Sequence, residues 1–263
     1  MAISDISLTT GMRSNLMSLQ ATTDLLNRTQ ERLSTGKKVN TALDNPTAFF
    51  AAKALSDRAS DLSALKDGMG QAIETIKAAD AGIKGATNIL SAAKGLAQSA
   101  YTSADTATLA TQFNDLMGEL DHLVADSGYQ GVNLINGDSL AVKFEGSTLT
   151  ITGVKEDAAT LGIATANFSS TGGIDSAISN IGAALSTLRT DAASLSANLS
   201  VIQTRQDFTQ SMMNVLMEGS DKLTLADMNE EGANMLMLQT RQSLGTTALS
   251  LSAQAAQSVL RLF

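Results

Sequence analysis

Between Ile174 and Leu216, apolar residues recur at alternating steps of four and three positions. The apolar positions are Ile174, Ile178, Ile181, Leu185, Leu188, Ala192, Leu195, Leu199, Ile202, Met213 and Leu216. This pattern, interrupted only at Gln206 and Thr209, continues for about six heptads and is typical of a coiled-coil helix. Such a helix would span roughly 65 Å and cannot bury its apolar stripe against itself. It therefore predicts long partner helices from this chain or from others.

Weaker apolar stripes predict helices over residues 1–35, from Pro46 to about Ser99, and from about Asp105 to Asp126. A last helix is predicted to end at Phe263 and carries two apolar stripes. The stop and start signals agree with these bounds. Gly36 suits the position after a helix C-terminus, whereas Asp44 and Asn45 before Pro46 suit a helix start.

Three connections are predicted between these helices. Residues 37–43 are expected to form an extended connector, and Gly219 is expected to end the long fourth helix. Within residues 128–173 the pattern changes to strict alternation. Residues 140–144 and 149–152 alternate apolar and polar side chains, which predicts a β-hairpin that turns near Gly146.

The fold class that follows is mainly α: an elongated antiparallel helical bundle with a small β-hairpin region and paired N- and C-terminal helices. The composition agrees, because one Pro in 263 residues and 3% aromatic residues favour long helices without a conventional aromatic core. The two terminal helices carry the largest unpartnered apolar surface. A subunit that folds back on itself and polymerises has this layout.

Composition also limits the function. A net charge of −8 argues against nucleic acid as a partner. No apolar run in the sequence is long enough for a membrane-spanning helix, so stable membrane insertion is not expected. The N-terminus has no apolar signal-peptide segment, so any export is expected to follow another route. No cysteine is available for a thiolate metal site or a disulfide.

No residue pattern predicts catalysis, a metal site or a cofactor. The single histidine, His122, lacks a second ligand and is interpreted as a helix-surface residue. Glu230 and Glu231 are adjacent and diverge on a helix, so they are interpreted as a solvated face or a contact between subunits. Gly68 and Gly70 lack the third glycine of a dinucleotide loop. The methionines between 212 and 237 are interpreted as core packing.

Three segments resemble the bacterial flagellins. The run Gln30–Gly36, with the sequence QERLSTG, is similar to the N-terminal signature of that family, together with the Val39, Asn40 and Asp44 that follow. The segment Tyr129–Ile135 (YQGVNLI) resembles the exit from the third flagellin helix. Residues 244–263 resemble the flagellin C-terminus.

The resemblance implies two layers of a filament subunit. Residues 1–42 and 221–263 would form the inner coiled-coil layer called D0. Residues 43–220, including the hairpin region 128–173, would form the helical-bundle layer called D1. The expected inner-layer assembly contacts are Leu16, Leu26, Leu33, Leu249, Leu251, Val259, Leu260 and Phe263. The expected D1 core residues are Ile73, Ile76, Leu90, Leu116, Leu120, Ile181, Leu188, Leu195 and Leu199.

The function implied is polymerisation into the flagellar filament used for motility, and the partners implied are those of the family. They are other copies of the chain, the flagellar type III export apparatus, the filament cap, an export chaperone at the C-terminal helix, and hook-associated proteins. Many flagellins are also sensed by Toll-like receptor 5. At the corresponding surface this chain has Ala92, where recognised members carry Arg, and it retains Leu96, so we expect weak recognition.

Two alternatives to a flagellin are open from the sequence. A hook–filament junction protein shares both terminal helices, although the run Gln30–Gly36 favours a flagellin. A secreted helical translocator would insert amphipathic helices into membranes, so its monomer would bind liposomes and would form no filaments. An enzyme has no support in any motif.

Overall fold

The computed structural model describes residues 10–260, with the side chains of all of them except residues 256, 259 and 260. It contains five helices and one two-stranded sheet within this range. In chain order these are α1 (Thr10–Thr35), α2 (Pro46–Ser99), α3 (Thr106–Asp126), β1 (Ser139–Lys143), β2 (Thr148–Thr152), α4 (Thr171–Thr224) and α5 (Met228–Leu260). The predicted mainly α fold with a small hairpin and paired terminal helices is confirmed.

The helix ends follow the local signals in the sequence. Gly36 has φ of +71°, and its amide donates to the Arg32 carbonyl at 2.8 Å, which closes the last turn of α1. The Asn45 side chain accepts from the amide of Ala48 at 3.1 Å and caps α2. Asp105 accepts from the amide of Thr108 and caps α3 in the same way. The predicted helix starts at Pro46 and next to Asp105 are therefore confirmed.

Two predicted connections are wrong. Helix α4 does not end at Gly219 but continues to Thr224, because glycine is tolerated inside a helix where a neighbour approaches closely. A Cβ atom on Gly219 would lie 3.3 Å from the Leu55 side chain. The segment 37–43 is not extended throughout, because a turn over Thr41–Asp44 reverses its end.

The hairpin is confirmed. Strands β1 and β2 pair antiparallel, with Leu140 opposite Ile151 and Val142 opposite Leu149. The amide of Phe144 donates to the Ser147 carbonyl at 2.7 Å and closes the turn. Alternation puts Val142 and Ile151 into the core, as period two requires.

The chain divides into two compact units, each described by itself. Residues 58–214 form the first, here called the central unit. The residues up to Asp57 and those from Val215 form the second, here called the terminal unit. The predicted D0 and D1 layers have similar ranges, and their assignment stays a prediction.

The central unit contains a continuous apolar core from α2, α3, α4 and the hairpin. Of the nine predicted core residues, Ile73, Ile76, Leu90, Leu120, Ile181, Leu188 and Leu195 are buried. Leu116 and Leu199 are only partly buried and pack against that core. The buried positions on α3 are Phe113, Met117, Leu120 and Val124. Met117, the residue after Leu116, therefore lies on the buried face, and Leu116 lies at its edge.

Candidate functional site

The candidate site is the surface of the helix pair α1 and α5 in the terminal unit. Arg32 pairs with Glu231, and Leu19 lies against Gly245, so the two helices run antiparallel. A Cβ atom on Gly245 would lie 2.8 Å from Leu19 Cδ1, so glycine permits the close approach. A groove of about 530 Å³ lies between the helices at this level, lined by residues that include Leu25 and Leu244.

The pair is joined at one end by polar contacts around Arg32 and Glu231, here called the polar lock. Arg32 Nη1 lies 2.8 Å from Glu231 Oε1, and the Glu231 side chain is almost fully buried. Of the two alternatives for Glu231, a solvated face is therefore wrong, because the long Arg32 side chain reaches it across the helix pair, and a contact between subunits stays a prediction. Burying an acid is tolerable only with such a partner.

The backbone strengthens the same lock. The amides of Lys38 and Val39 donate to the Thr224 carbonyl at 2.8 and 3.2 Å, and the amide of Ala226 donates to the Gly36 carbonyl at 2.9 Å. These bonds hold the residues after α1 against the turn between α4 and α5. The pairing of the chain ends is thus fixed by specific polar contacts as well as by apolar packing.

A turn next to this lock displays one apolar side chain. The Asp44 carboxylate accepts from the backbone amides of Thr41 and Asn40 and from the Thr41 hydroxyl. The two amide hydrogen bonds lower the pKa of Asp44. The turn that they stabilise leaves Leu43 95% exposed.

Helix α5 carries an apolar row that the described chain leaves more than half exposed. Met237, Leu244 and Leu251 are spaced by seven residues and lie along one side of the helix. Their exposed fractions are 53, 66 and 61%. We call these three residues the α5 seam. An exposed apolar row at heptad spacing is a surface that another helix can cover.

The predicted inner-layer residues have different environments. Leu16, Leu26, Leu33 and Leu249 are half-buried, whereas Leu251 is exposed. The side chains of Val259 and Leu260 and the whole of Phe263 lie outside the described residues. Met217, Met228 and Met237 are about half exposed, so the prediction that these methionines are core residues is wrong. Among the described side chains of α5, Glu231 and Leu238 are buried. A pair of helices buries only the narrow strip of each helix that faces the other, which leaves Met228 and Met237 half exposed.

The central unit positions its hairpin with charged side chains. Arg58 on α2 donates to both carboxylate oxygens of Glu145 at the hairpin turn, at 2.6 and 3.2 Å. These hydrogen bonds raise the pKa of Arg58 and lower that of Glu145. The Arg205 guanidinium on α4 lies 5.3 Å from the centre of the Phe144 ring. The hairpin turn is thus held against two helices.

The described residues offer no metal-binding cluster. They contain no group of three or more His, Asp or Glu side chains that could hold a metal ion. His122 is exposed on α3. Across the described range, no helix has an apolar stretch long enough to span a bilayer.

The predicted receptor surface lies on α2. Ala92 is exposed there and Leu96 is half-buried, so both lie near the surface of that helix.

Sequence reasoning missed the buried acid Glu156, which approaches Asp191 on α4. It also missed the partner of Glu231. Neither has a sequence signal, because both contacts join residues far apart in the chain.

Antiparallel long helices, a small hairpin and exposed apolar rows on the paired chain ends define a structural protein that associates through helices. The family model of the bacterial flagellin N-terminal helical region matches residues 6–139. The chain is 31% identical to flagellin FljM and 30% identical to flagellin FljO of Caulobacter vibrioides, over the full length of both partners. It is 28% identical to a flagellin of Brucella melitensis, over 94% of this chain and 95% of the relative.

A solved structure shows the same fold. The crystal structure of Bacillus cereus flagellin superposes with a TM-score of 0.50 at 19% identity, over 54% of this chain and 88% of that one. The chain belongs to the bacterial flagellin family. It is a structural subunit of the flagellar filament, which serves motility.

Proposed function

We propose that the α5 seam is an inner contact between neighbouring subunits of the filament. The observation that carries this proposal is the exposure of Met237, Leu244 and Leu251 at heptad spacing on a helix that already packs on α1 through other residues, with Leu244 at the edge of the groove between the two helices. Covering each half-exposed side chain is worth about 1–2 kcal/mol. Repeated in every subunit, that gain offsets the cost of association.

The proposal includes the layer assignment. Residues 1–42 and 221–263 form the D0-like inner layer, and residues 43–220 form the D1-like layer around it. Support comes from family membership and from the different surfaces of the two units. The central unit has a buried core of its own, whereas the described part of the α1–α5 pair buries few apolar side chains.

The remaining partners and the location are proposals from family membership. The subunit leaves the cell through the flagellar export apparatus, assembles beneath a filament cap outside the cell, and adjoins hook-associated proteins. An export chaperone binds the C-terminal helix before assembly. The exposed α5 seam supports this last proposal, because it would otherwise contact solvent in the free subunit.

The test is the substitution Leu251→Asp. A carboxylate in the seam must be desolvated when a neighbouring subunit covers it, so we expect no filaments from this variant. Its matched control is Ser250→Asp, which adds the same charge one residue away, at an exposed polar position on a different side of α5. Pelleting of filaments and negative-stain electron microscopy compare the two, with circular dichroism to establish that both variants are folded.

Filaments from Leu251→Asp at the yield of Ser250→Asp would overturn the seam as an assembly contact. Liposome binding by the wild-type monomer with no filaments under any condition would instead favour the translocator.

A further inference from the structure

The central unit buries a carboxylic acid without a cation. Glu156 follows β2 in the chain and is 1% exposed. Its position is fixed, because its amide donates to the Ile135 carbonyl at 2.9 Å and the amide of Val154 donates to the Leu134 carbonyl at 2.9 Å. The neighbouring acid is Asp191 on α4. One oxygen of each acid, Glu156 Oε2 and Asp191 Oδ2, is buried with no conventional hydrogen-bond donor.

Nearby charged groups are engaged elsewhere. Lys155 Nζ lies 2.6 Å from Asp157 Oδ2 on the outer side of the loop. Asp121 on α3 accepts from the amide of Ala158 at 2.8 Å. The two acids line a cavity of about 40 Å³ whose other lining residues are apolar or neutral: Leu134, Ile135, Ile151, Thr152, Gly153, Val154, Ser194, Leu195 and Asn198. No lysine, arginine or histidine lines it.

We propose that Glu156 and Asp191 bind one shared proton, and that this proton fastens the segment after the hairpin to α4. Glu156 is buried and Asp191 is partly buried with its Oδ2 atom inaccessible to solvent, so the two adjacent carboxylates cannot both be ionised without a large electrostatic cost. One proton converts two acceptors into a donor and an acceptor, which satisfies both unpartnered oxygens at once. The site is thus a proton-binding contact between the segment after β2 and α4. It is independent of the filament contact proposed above.

The electrostatics give the pH range. Burial, with the Asp191 charge adding to it, raises the pKa of Glu156 from 4.5 to about 8. The folded pair therefore holds a proton that the unfolded chain releases near pH 4.5. Its stabilisation is fully present below pH 4.5 and is lost as pH rises to about 8. Asp157 does not contribute here, because its Lys155 and Thr160 hydrogen bonds lower its pKa to about 2.

The test is Glu156→Gln in the full chain, kept monomeric at low concentration. The Gln amide donates to Asp191 at every pH and so imitates the protonated state. Between pH 5 and 8, the unfolding equilibrium constant of the wild type should rise about tenfold per pH unit relative to that of the variant. At pH 9 the variant should be the more stable of the two in urea. Glu119→Gln, an exposed acid on α3, is the control and should keep the wild-type slope.

Two further measurements distinguish a proton from packing alone. Side-chain ¹³C NMR should show a carboxyl that titrates near pH 8 and is absent in Glu156→Gln. Hydrogen exchange at the amides of Val154 and Glu156 should lose protection above pH 8 in the wild type only. If Glu156→Gln does not fold, Asp191→Asn serves, because it also removes the repulsion between charges.

Equal pH slopes for the wild type and Glu156→Gln would overturn the proposal. So would an increase in the wild-type unfolding midpoint by calcium or magnesium at pH 6 that is absent in Glu156→Gln, since the pair would then hold a cation in the pH range where the proposal places a proton. These experiments use the monomer, so failure of filament assembly leaves their outcome unchanged.

Discussion

Gly153 shows how one residue positions the loop that carries Glu156. A Cβ atom on this glycine would collide with the carbonyl oxygens of Asp138 and Leu134, and would lie 3.0 Å from Leu134 Cα. These are backbone atoms, which cannot move aside as the end of a side chain can. The segment after β2 therefore lies directly against the loop before β1 only because residue 153 has no side chain.

We predict that Gly153→Ala lowers the free energy of unfolding of the central unit by about 1–3 kcal/mol through overpacking. Gly146→Ala is the control, because an added Cβ there meets no atom within 4 Å, and it should change the value by about 0.5 kcal/mol or less. Urea denaturation followed by circular dichroism measures both. Equal values for the two variants would show that the loop has room to adjust.

At the scale of elements, α2 and α4 run antiparallel along the central unit. Lys66 Nζ donates to Gln210 at 2.7 Å, and Gly70 faces Gln206. At the other end of α2, Tyr101 donates to Asp175. From Leu188 onward, the buried residues of α4 recur every seven positions, at 188, 195, 202, 209 and 216. This periodicity is that of a helix with one narrow buried seam.

We predict that Leu188→Ala costs about 2–5 kcal/mol of stability, because Leu188 is fully buried in the core. Leu199→Ala on the same helix should cost clearly less, because Leu199 is only partly buried. The comparison is matched in chemistry and element, and thermal unfolding of the two variants measures it. Equal losses of stability in the two variants would contradict the assignment of Leu188 to the core and of Leu199 to its edge.

The sequence predicted elements well where a periodic pattern continues over many residues. The helices α2 and α3 and the hairpin were predicted closely, because their boundaries coincide with Asn45, Asp105 and the turn at Gly146. The end of α4 was not predicted correctly. A glycine such as Gly219 can mark either the end of a helix or a place where another side chain approaches the helix closely, and only the position of Leu55 distinguishes these cases. The exposure of Met237 depends similarly on how few helices surround α5.

The candidate site was predictable only in part. The apolar stripe on α5 is visible in the sequence, so Leu244 and Leu251 could be named as candidates for packing. Which of them α1 covers depends on the rotation of α5 about its axis, which is set by the contacts of Gly245 and Glu231 with the other helix. The Glu156–Asp191 pair had no sequence signal, since each acid alone resembles a surface residue.

At the scale of the whole molecule, the surfaces that matter are rows of apolar side chains, as expected for a member of the flagellin family. The α5 seam and the exposed Leu43 lie in the terminal unit, which has few buried apolar residues of its own. The central unit has an independent core and a hairpin held by Arg58 and Arg205. The two units thus differ in how much apolar surface each buries within itself.

The most direct test is an electron cryo-microscopy structure of the wild-type filament. We predict that Met237, Leu244 and Leu251 change from more than half exposed to buried, each in contact with a helix of a neighbouring subunit. A filament in which these three side chains face solvent, or contact only their own subunit, would contradict the account.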